Sequence, residues 1–299
     1  MKILSFGSMN IDNTYSVDEF VQPGETMTAK NLSKFCGGKG LNQSIALASA
    51  GADVAHFGCV GEDGDILLDM LKSRGVNTDS VIKIDNITSG HAIIQVDSHG
   101  QNSILLYPGA NHRMTPELID RELEKYSCGD WLLIQNETNC LEYIMRAANK
   151  KGMKIAFNPS PMDGTVSTLP LELVDLFLVN EIEGAAVTGK EITEEITAEF
   201  EKLFPNAAVI LTLGKKGSIF KSEKDMLFQP SYCGTVKDTT GAGDTYTGFF
   251  IANYIKGVSP QECMRIAAMA STVQISRDGA AIAIPKKQEV LNALKNHCR

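Results

Sequence analysis

Short apolar runs separated by helical patterns recur along most of the chain, and this alternation limits its fold more than any other feature. Lys2 to Gly7 and Val54 to Cys59 read as buried strands, with helices over Leu41 to Ala50 and Ile66 to Ser73. From residue 130 the rhythm sharpens. Trp131 to Ile134, Ile155 to Phe157, Leu176 to Val179 and Val209 to Leu211 are strand candidates, with helical periodicity in Leu141 to Asn149 and Ala198 to Phe204. Strands that are apolar throughout must be covered on both sides, so the pattern predicts an α/β fold, with a mainly parallel central sheet and helices on both faces. Residues 13–35 and roughly 80–108 break the rhythm and alternate as antiparallel strands do, punctuated in the second stretch by Gly90, Gly100 and Gly109. The expectation is one domain over residues 1–299 with a small antiparallel β lid from insertions at about 13–35 and 88–108. The other reading of those strands is an edge extension without function.

Charge then excludes whole classes of partner. Lys and Arg number 28 against 36 Asp and Glu, a formal net charge of −8. No basic run exceeds the pairs Lys150-Lys151, Lys215-Lys216 and Lys286-Lys287, so nucleic acid is not an expected partner. No apolar stretch is long enough for a membrane span, and the opening MKILSFGSMNID turns polar too early for a signal peptide. The seven cysteines, at 36, 59, 128, 140, 233, 263 and 298, form no C-x-x-C pair. Scattered thiols suit a reducing compartment, so a cytoplasmic location is expected. The five histidines lack zinc-binding spacing.

The segment richest in chemistry is Asp238-Thr-Thr-Gly-Ala-Gly-Asp-Thr, which opens a helix running to about Lys256. A glycine-rich turn at a helix start gathers free N–H groups at the positive end of the dipole, which suits phosphate. Asp244 on that turn cannot hold a phosphate, since like charges repel, but it can orient and deprotonate an attacking hydroxyl. It reads equally as an ordinary helix-start residue. A second cluster, Cys36-Gly-Gly-Lys-Gly-Leu-Asn-Gln, is not a P-loop, because position 33 is Ser and position 40 is Gly. Its Lys39 and Asn42 can face the same way, as can Asn10 and Asp12 in an extended segment. Together they offer donors and an acceptor for a polyhydroxyl ligand, or else serve as loop and cap residues. Glu137, Asn180 and Glu183 follow strands, where parallel sheets bind ligands. They can hold a hydroxyl or a water on Mg²⁺, or cap the next helices.

Taken in order, these segments resemble the ribokinase family of carbohydrate kinases from Gly7-Ser-Met-Asn-Ile-Asp to about Pro285. Pro108-Gly-Ala-Asn, Asn158-Pro-Ser-Pro, Asn180-Glu-Ile-Glu and Thr212-Leu-Gly-Lys-Lys-Gly stand between the two glycine signatures. The resemblance implies an ATP-dependent kinase acting on the O5 hydroxyl of D-ribose. Asp244 would be the general base, with Gly241, Ala242 and Gly243 as the anion hole. Asn10, Asp12, Gly38, Lys39, Asn42 and Glu137 would hold the sugar. Asn180 and Glu183 would manage phosphate and Mg²⁺, while Thr212, Gly214 and Gly217 would line the nucleotide site. Asp238 and Thr240 match two ligands of a bound K⁺, although Ala283 stands where a serine hydroxyl is expected. A homodimer through the lid is also implied. Rival readings are a kinase for another pentose, deoxyribose or a nucleoside, the last needing stacking groups such as Phe20, Phe35 or Tyr107. A non-catalytic sugar- or nucleotide-binding protein is the remote alternative.

Overall fold

Alternate residues of the central strands enter opposite cores, which is why those strands carry no polar face. Ile3 and Leu133 pack into one apolar cluster, and Leu4, Phe6, Leu132 and Ile134 into the other. The computed structural model describes residues 1–297. Its first half runs β1 (Ile3–Phe6), β2 (Asn10–Ser16), β3 (Asn31–Gly37), α1 (Lys39–Ser49), β4 (Val54–Val60), α2 (Asp65–Ser73), β5 (Val81–Lys83), β6 (Gly90–Val96), β7 (Asn102–Tyr107), α3 (Pro116–Leu123), β8 (Trp131–Gln135) and α4 (Leu141–Lys150). The second half adds β9 (Lys154–Asn158), β10 (Leu176–Asn180), α5 (Glu181–Thr188), α6 (Thr193–Leu203), β11 (Ala208–Thr212), β12 (Ser218–Lys221), β13 (Met226–Gln229), α7 (Ala242–Tyr254), α8 (Pro260–Gln274) and α9 (Lys287–His297).

Nine strands form the large sheet in the order β13-β12-β11-β10-β9-β8-β1-β4-β5. All its pairings from β11 to β5 are parallel, and β12 and β13 close one edge as an antiparallel hairpin. The α/β expectation therefore holds, with helices on both faces. Ile45 of α1, Phe249 of α7 and Met264 of α8 fill one core, and Ile144 of α4 and Phe200 of α6 the other.

A separate four-stranded sheet has the order β3-β2-β6-β7. Its outer pairs are antiparallel, but they join through a parallel β2–β6 pair, Asn10 opposite Gly90 through Ser16 opposite Val96. β2 follows β1 and β6 follows β5, strands that run parallel in the large sheet, so both leave the same end of it and pair in parallel. β5, which the alternation grouped with these strands, instead pairs in parallel with β4. Helix α6 begins earlier than its apolar periodicity suggested, since Thr193, Glu194 and Glu195 make a polar first turn. No helix among the described residues is long and apolar enough to cross a membrane. Six cysteines are free thiols, and Cys298 lies outside the described residues.

Candidate active site

Close packing of α1 on α7 sets the centre of the site. Gly248 lies so near α1 that a Cβ there would fall 2.3 Å from the Ala46 Cβ. The starts of the two helices thereby meet, and residues some 200 positions apart in sequence come into contact. Asn42 Nδ2 donates to Asp244 Oδ2 at 3.0 Å, and Gln43 Nε2 donates to Asp244 Oδ1 at 2.9 Å. Gln43 is in turn fixed from the sheet. Gln135 at the end of β8 donates to its Oε1 at 2.7 Å, and Asn158 at the end of β9 accepts from its Nε2 at 3.2 Å. Asn158 also donates to the Leu178 carbonyl at 2.8 Å, so three strand ends bear on one carboxylate. Asp244 is buried, at 8% exposure.

Helix α7 starts in a turn that only glycine adopts easily, Gly241 lying at φ 77°. The dipole and N–H groups of that turn favour an anion. Of the residues expected to form the anion hole, Ala242 already donates its N–H to the Thr239 carbonyl at 3.2 Å, while Gly243 has open space around it.

Where the chain leaves β1, it passes against the start of α1. A Cβ on Gly40 would lie 2.4 Å from the Ser8 nitrogen, so this approach requires glycine. Glu137 accepts from the Ser8 hydroxyl and from the Lys39 N–H, the latter at 2.9 Å. Burial pushes the Glu137 carboxyl up, and the nearby Lys39 ammonium and Ser8 hydroxyl offset only part of that. Burial alone would lower the Lys39 ammonium, yet Asp244, Glu137 and Glu183 together outweigh it and hold the group above its ordinary value. Lys39 thus stays charged among three carboxylates.

Asn10 and Asp12 lie on one face of β2, as their spacing predicted. Asn111 Nδ2 donates to Asn10 Oδ1 at 2.7 Å, and its own Oδ1 accepts from the Met9 N–H at 3.0 Å, which docks the Pro108–Asn111 motif on this strand. Asp12 has a different environment. Burial, with the Glu137 charge adding to it, pushes its carboxyl up to about 7. Room for that carboxylate comes from Gly37 across the strand pair, where a Cβ would lie 1.9 Å from Asp12 Oδ2.

A cavity of about 330 Å³ opens beside this cluster, at the carboxyl ends of β9, β10 and β11. Lys39, Asn180, Glu183, Thr212, Gly214 and the turn from Gly241 to Asp244 line it. Asn180 and Glu183 form a reciprocal cap on α5, with Glu183 N–H to Asn180 Oδ1 at 2.9 Å and Asn180 N–H to Glu183 Oε2 at 3.0 Å. Their capping and lining roles are therefore compatible, and one Glu183 oxygen is left over. Gly217 is not on the cavity wall; it packs against the end of β13, where a Cβ would lie 2.1 Å from the Gln229 carbonyl. Asp238 and Thr240 sit just behind the cavity. Asp238 Oδ1 accepts from the Thr240 N–H and Oδ2 from the Gly279 N–H, both at 2.9 Å. Burial raises this carboxyl, but the hydrogen bonds from Thr240 and Gly279 outweigh that and hold it below its ordinary value.

Sequence patterning passed over Ser8, Gln43, Asn111 and Gln135. Ser8, Gln43 and Asn111 stand inside the motifs that carry the family resemblance, but nothing local distinguishes them from the residues beside them.

A carboxylate gripped at an anion-favouring helix start, at the strand ends of a parallel sheet, suits transfer of a phosphoryl group to a hydroxyl. That defines the class: a small-molecule kinase. The chain belongs to the pfkB family of carbohydrate kinases, whose family model matches residues 1–287. It is similar to a ribokinase of Haemophilus influenzae, 33% identical over 298 residues covering 97% of each chain. Among solved structures it is similar to a ribokinase of Thermotoga maritima, with a TM-score of 0.88 and 31% identity over 98% of this chain and 99% of that one. It also resembles the Arabidopsis thaliana ribokinase complexed with ribose and ATP, with a TM-score of 0.85, 29% identity and 98% of each chain covered. The chain is a carbohydrate kinase.

Proposed function

We propose that the protein transfers the γ-phosphate of ATP to the O5 hydroxyl of D-ribose, giving ribose 5-phosphate. The observation that carries this reading is Asp244, fixed by Asn42 and Gln43 where the polar cluster of Asn10, Asp12, Lys39 and Glu137 meets the cavity of Asn180, Glu183, Thr212 and Gly214. In this reading the polar cluster, with Gly38 and Asn42, grips the sugar hydroxyls. Asp244 aligns the attacking hydroxyl and accepts its proton. The first turn of α7 and the Lys39 ammonium stabilise negative charge on the phosphoryl group in flight. The smaller sheet is the lid, closing over the sugar to exclude water.

Mg²⁺ fits the donor set. Among the described residues no cluster of three or more His, Cys, Asp or Glu could cage a metal alone, so the ion would be shared by Glu183, waters and nucleotide phosphates. When bound it neutralises phosphate charge. For potassium the expected site has a competitor within the chain: the carbonyl of Thr240, one of the residues expected to hold the ion, accepts from Gln274 Nε2 at 2.5 Å.

A coupled ADP-release assay tests the substrate. D-ribose is expected to exceed 2-deoxyribose, fructose and adenosine by about tenfold or more in kcat/KM, since a site built to bind hydroxyls rejects analogues that lack or misplace them. Preference for adenosine would overturn the sugar reading.

The lid is also the proposed dimer contact. Leu105 on β7 is 68% exposed, and Ile93 and Leu32, which share its face of the sheet opposite to Asp12, add to the open apolar surface there. Such a patch favours burial against a second copy. Light scattering should give twice the monomer mass, and the double substitution Ile93→Asp/Leu105→Asp should give monomer. A monomeric parent would remove this proposal.

A further inference from the structure

Gln274 ends α8 and is fully buried. Its Nε2 donates to the Thr240 carbonyl at 2.5 Å and to the Gly279 carbonyl at 3.3 Å. Two carbonyl oxygens facing one end of the carboxamide assign that end as nitrogen, because the reverse would set oxygen against oxygen. Asp238 clamps the same two loops a second time, through the Thr240 and Gly279 N–H groups. Carbonyl oxygens from two loops beside a carboxylate are the donor set a monovalent cation takes. Here an NH₂ group lies between them, with its partial positive charge pointing at both carbonyls.

The rest of the second loop is likewise held by the chain itself. Arg74 donates to the carbonyls of Ala281, Ile282 and Ile284 at 3.0, 2.8 and 3.2 Å, and Arg277 to that of Ala283 at 3.4 Å. Ala283 offers no hydroxyl to an ion. Ser271, one turn before Gln274, donates to the Ala242 carbonyl at 2.9 Å, so α8 also bears directly on the first turn of α7.

The geometry points to Gln274 as a built-in replacement for a monovalent cation: its carboxamide, with the guanidinium groups of Arg74 and Arg277, holds the loops at the start of α7, and the kinase runs without potassium. Gln274 is a positioning residue, acting on the anion-binding turn through Thr240 and Gly279. Its Oε1 is buried without a partner. The rival arrangement is therefore specific: a bound ion would turn the carboxamide and draw that oxygen into its shell.

The test rests on the kinase reading for one readout and on ion binding for the other. The enzyme is prepared in tetramethylammonium chloride, and KCl replaces it at constant ionic strength. kcat/KM for ribose should change less than about twofold, and the melting temperature should show no potassium-specific rise. Gln274→Ala should lose about tenfold or more in kcat in tetramethylammonium, since a small misplacement of the anion-binding turn is costly, and potassium should restore it with a saturable rise in Tm. Gln274→Met, which fills the space without a donor, should lose activity that potassium does not restore. Activation of the parent by potassium beyond about fivefold, or a saturable potassium-specific rise in its Tm, would overturn the proposal in favour of the turned carboxamide. Full activity of Gln274→Ala in tetramethylammonium would overturn it too. If no sugar is turned over in any salt, the functional reading fails while the melting data still decide the ion site.

Discussion

Asp244→Asn is expected to lower kcat for ribose by about 10²–10⁴-fold, or about 3–5 kcal/mol of transition-state stabilisation. The sugar KM should move by less than about tenfold, because the lost interaction is one made mainly in the transition state. Both oxygens of the parent carboxylate accept hydrogen bonds, one from Asn42 and one from Gln43. An Asn side chain keeps a single acceptor and turns an NH₂ toward one of those two donors. The variant therefore loses the proton acceptor and disturbs the grip that aligns it. Near-UV circular dichroism and nucleotide binding establish that the variant is folded, and steady-state kinetics then separate kcat from KM. Turnover within about tenfold of the parent would take Asp244 out of the chemistry.

The two carboxylates with the largest proposed roles were legible in the sequence for different reasons. Asp244 stands in a run of glycines whose physical meaning, an anion-favouring helix start, is local and survives without any tertiary information. Asp12 was legible only through its spacing from Asn10, which says that they share a face and nothing about what that face meets. The parallel strands were readable because burial on both faces removes polar alternation from Trp131 to Ile134 and from Leu176 to Val179. The β12–β13 hairpin was not, since Met226 to Gln229 is short and partly exposed at a sheet edge. The support for Asp244 was equally hidden. Gln43, Gln135 and Asn158 become one chain of hydrogen bonds only when α1 lies over the ends of β8 and β9, and no pattern along the sequence marks glutamines that will be buried together. Gln274 shows the same limit with a larger consequence. Asp238 and Thr240 suggested a potassium site through the family resemblance, and the side chain proposed to replace the ion comes from a helix end where glutamine is unremarkable in sequence.

Asp12 offers a prediction in which stability and activity run in opposite directions with pH. Burial first, then the Glu137 charge, raises its carboxyl from 3.8 to about 7 in the folded protein. In the unfolded chain the group returns to about 3.9. A carboxyl whose folded pKa is raised holds its proton more tightly in the folded state, so its contribution to stability is complete below about pH 4 and is lost as pH rises through about 7. Glu137 is shifted in the same direction and adds to the trend. The urea midpoint of the parent should therefore fall between about pH 4 and pH 7, and Asp12→Asn should flatten much of that fall. The sugar imposes the opposite sign. An ionised carboxylate accepts from two hydroxyls, whereas the protonated form gives up acceptor capacity, so kcat/KM for ribose should rise as pH rises through about 7. Hydrogen bonds to a charged group contribute about 1.5–3 kcal/mol each, so Asp12→Asn should lower kcat/KM at high pH by about 10²-fold or more, chiefly through KM. A parent whose urea midpoint does not change with pH, or a variant that keeps the parent's rise in kcat/KM, would mean that another group titrates in the sugar site. The two trends have one cause. A site that strips water from a carboxylate to bind hydroxyls is destabilised by that carboxylate while it is empty, and ligand hydroxyls supply the hydrogen bonds the empty site lacks.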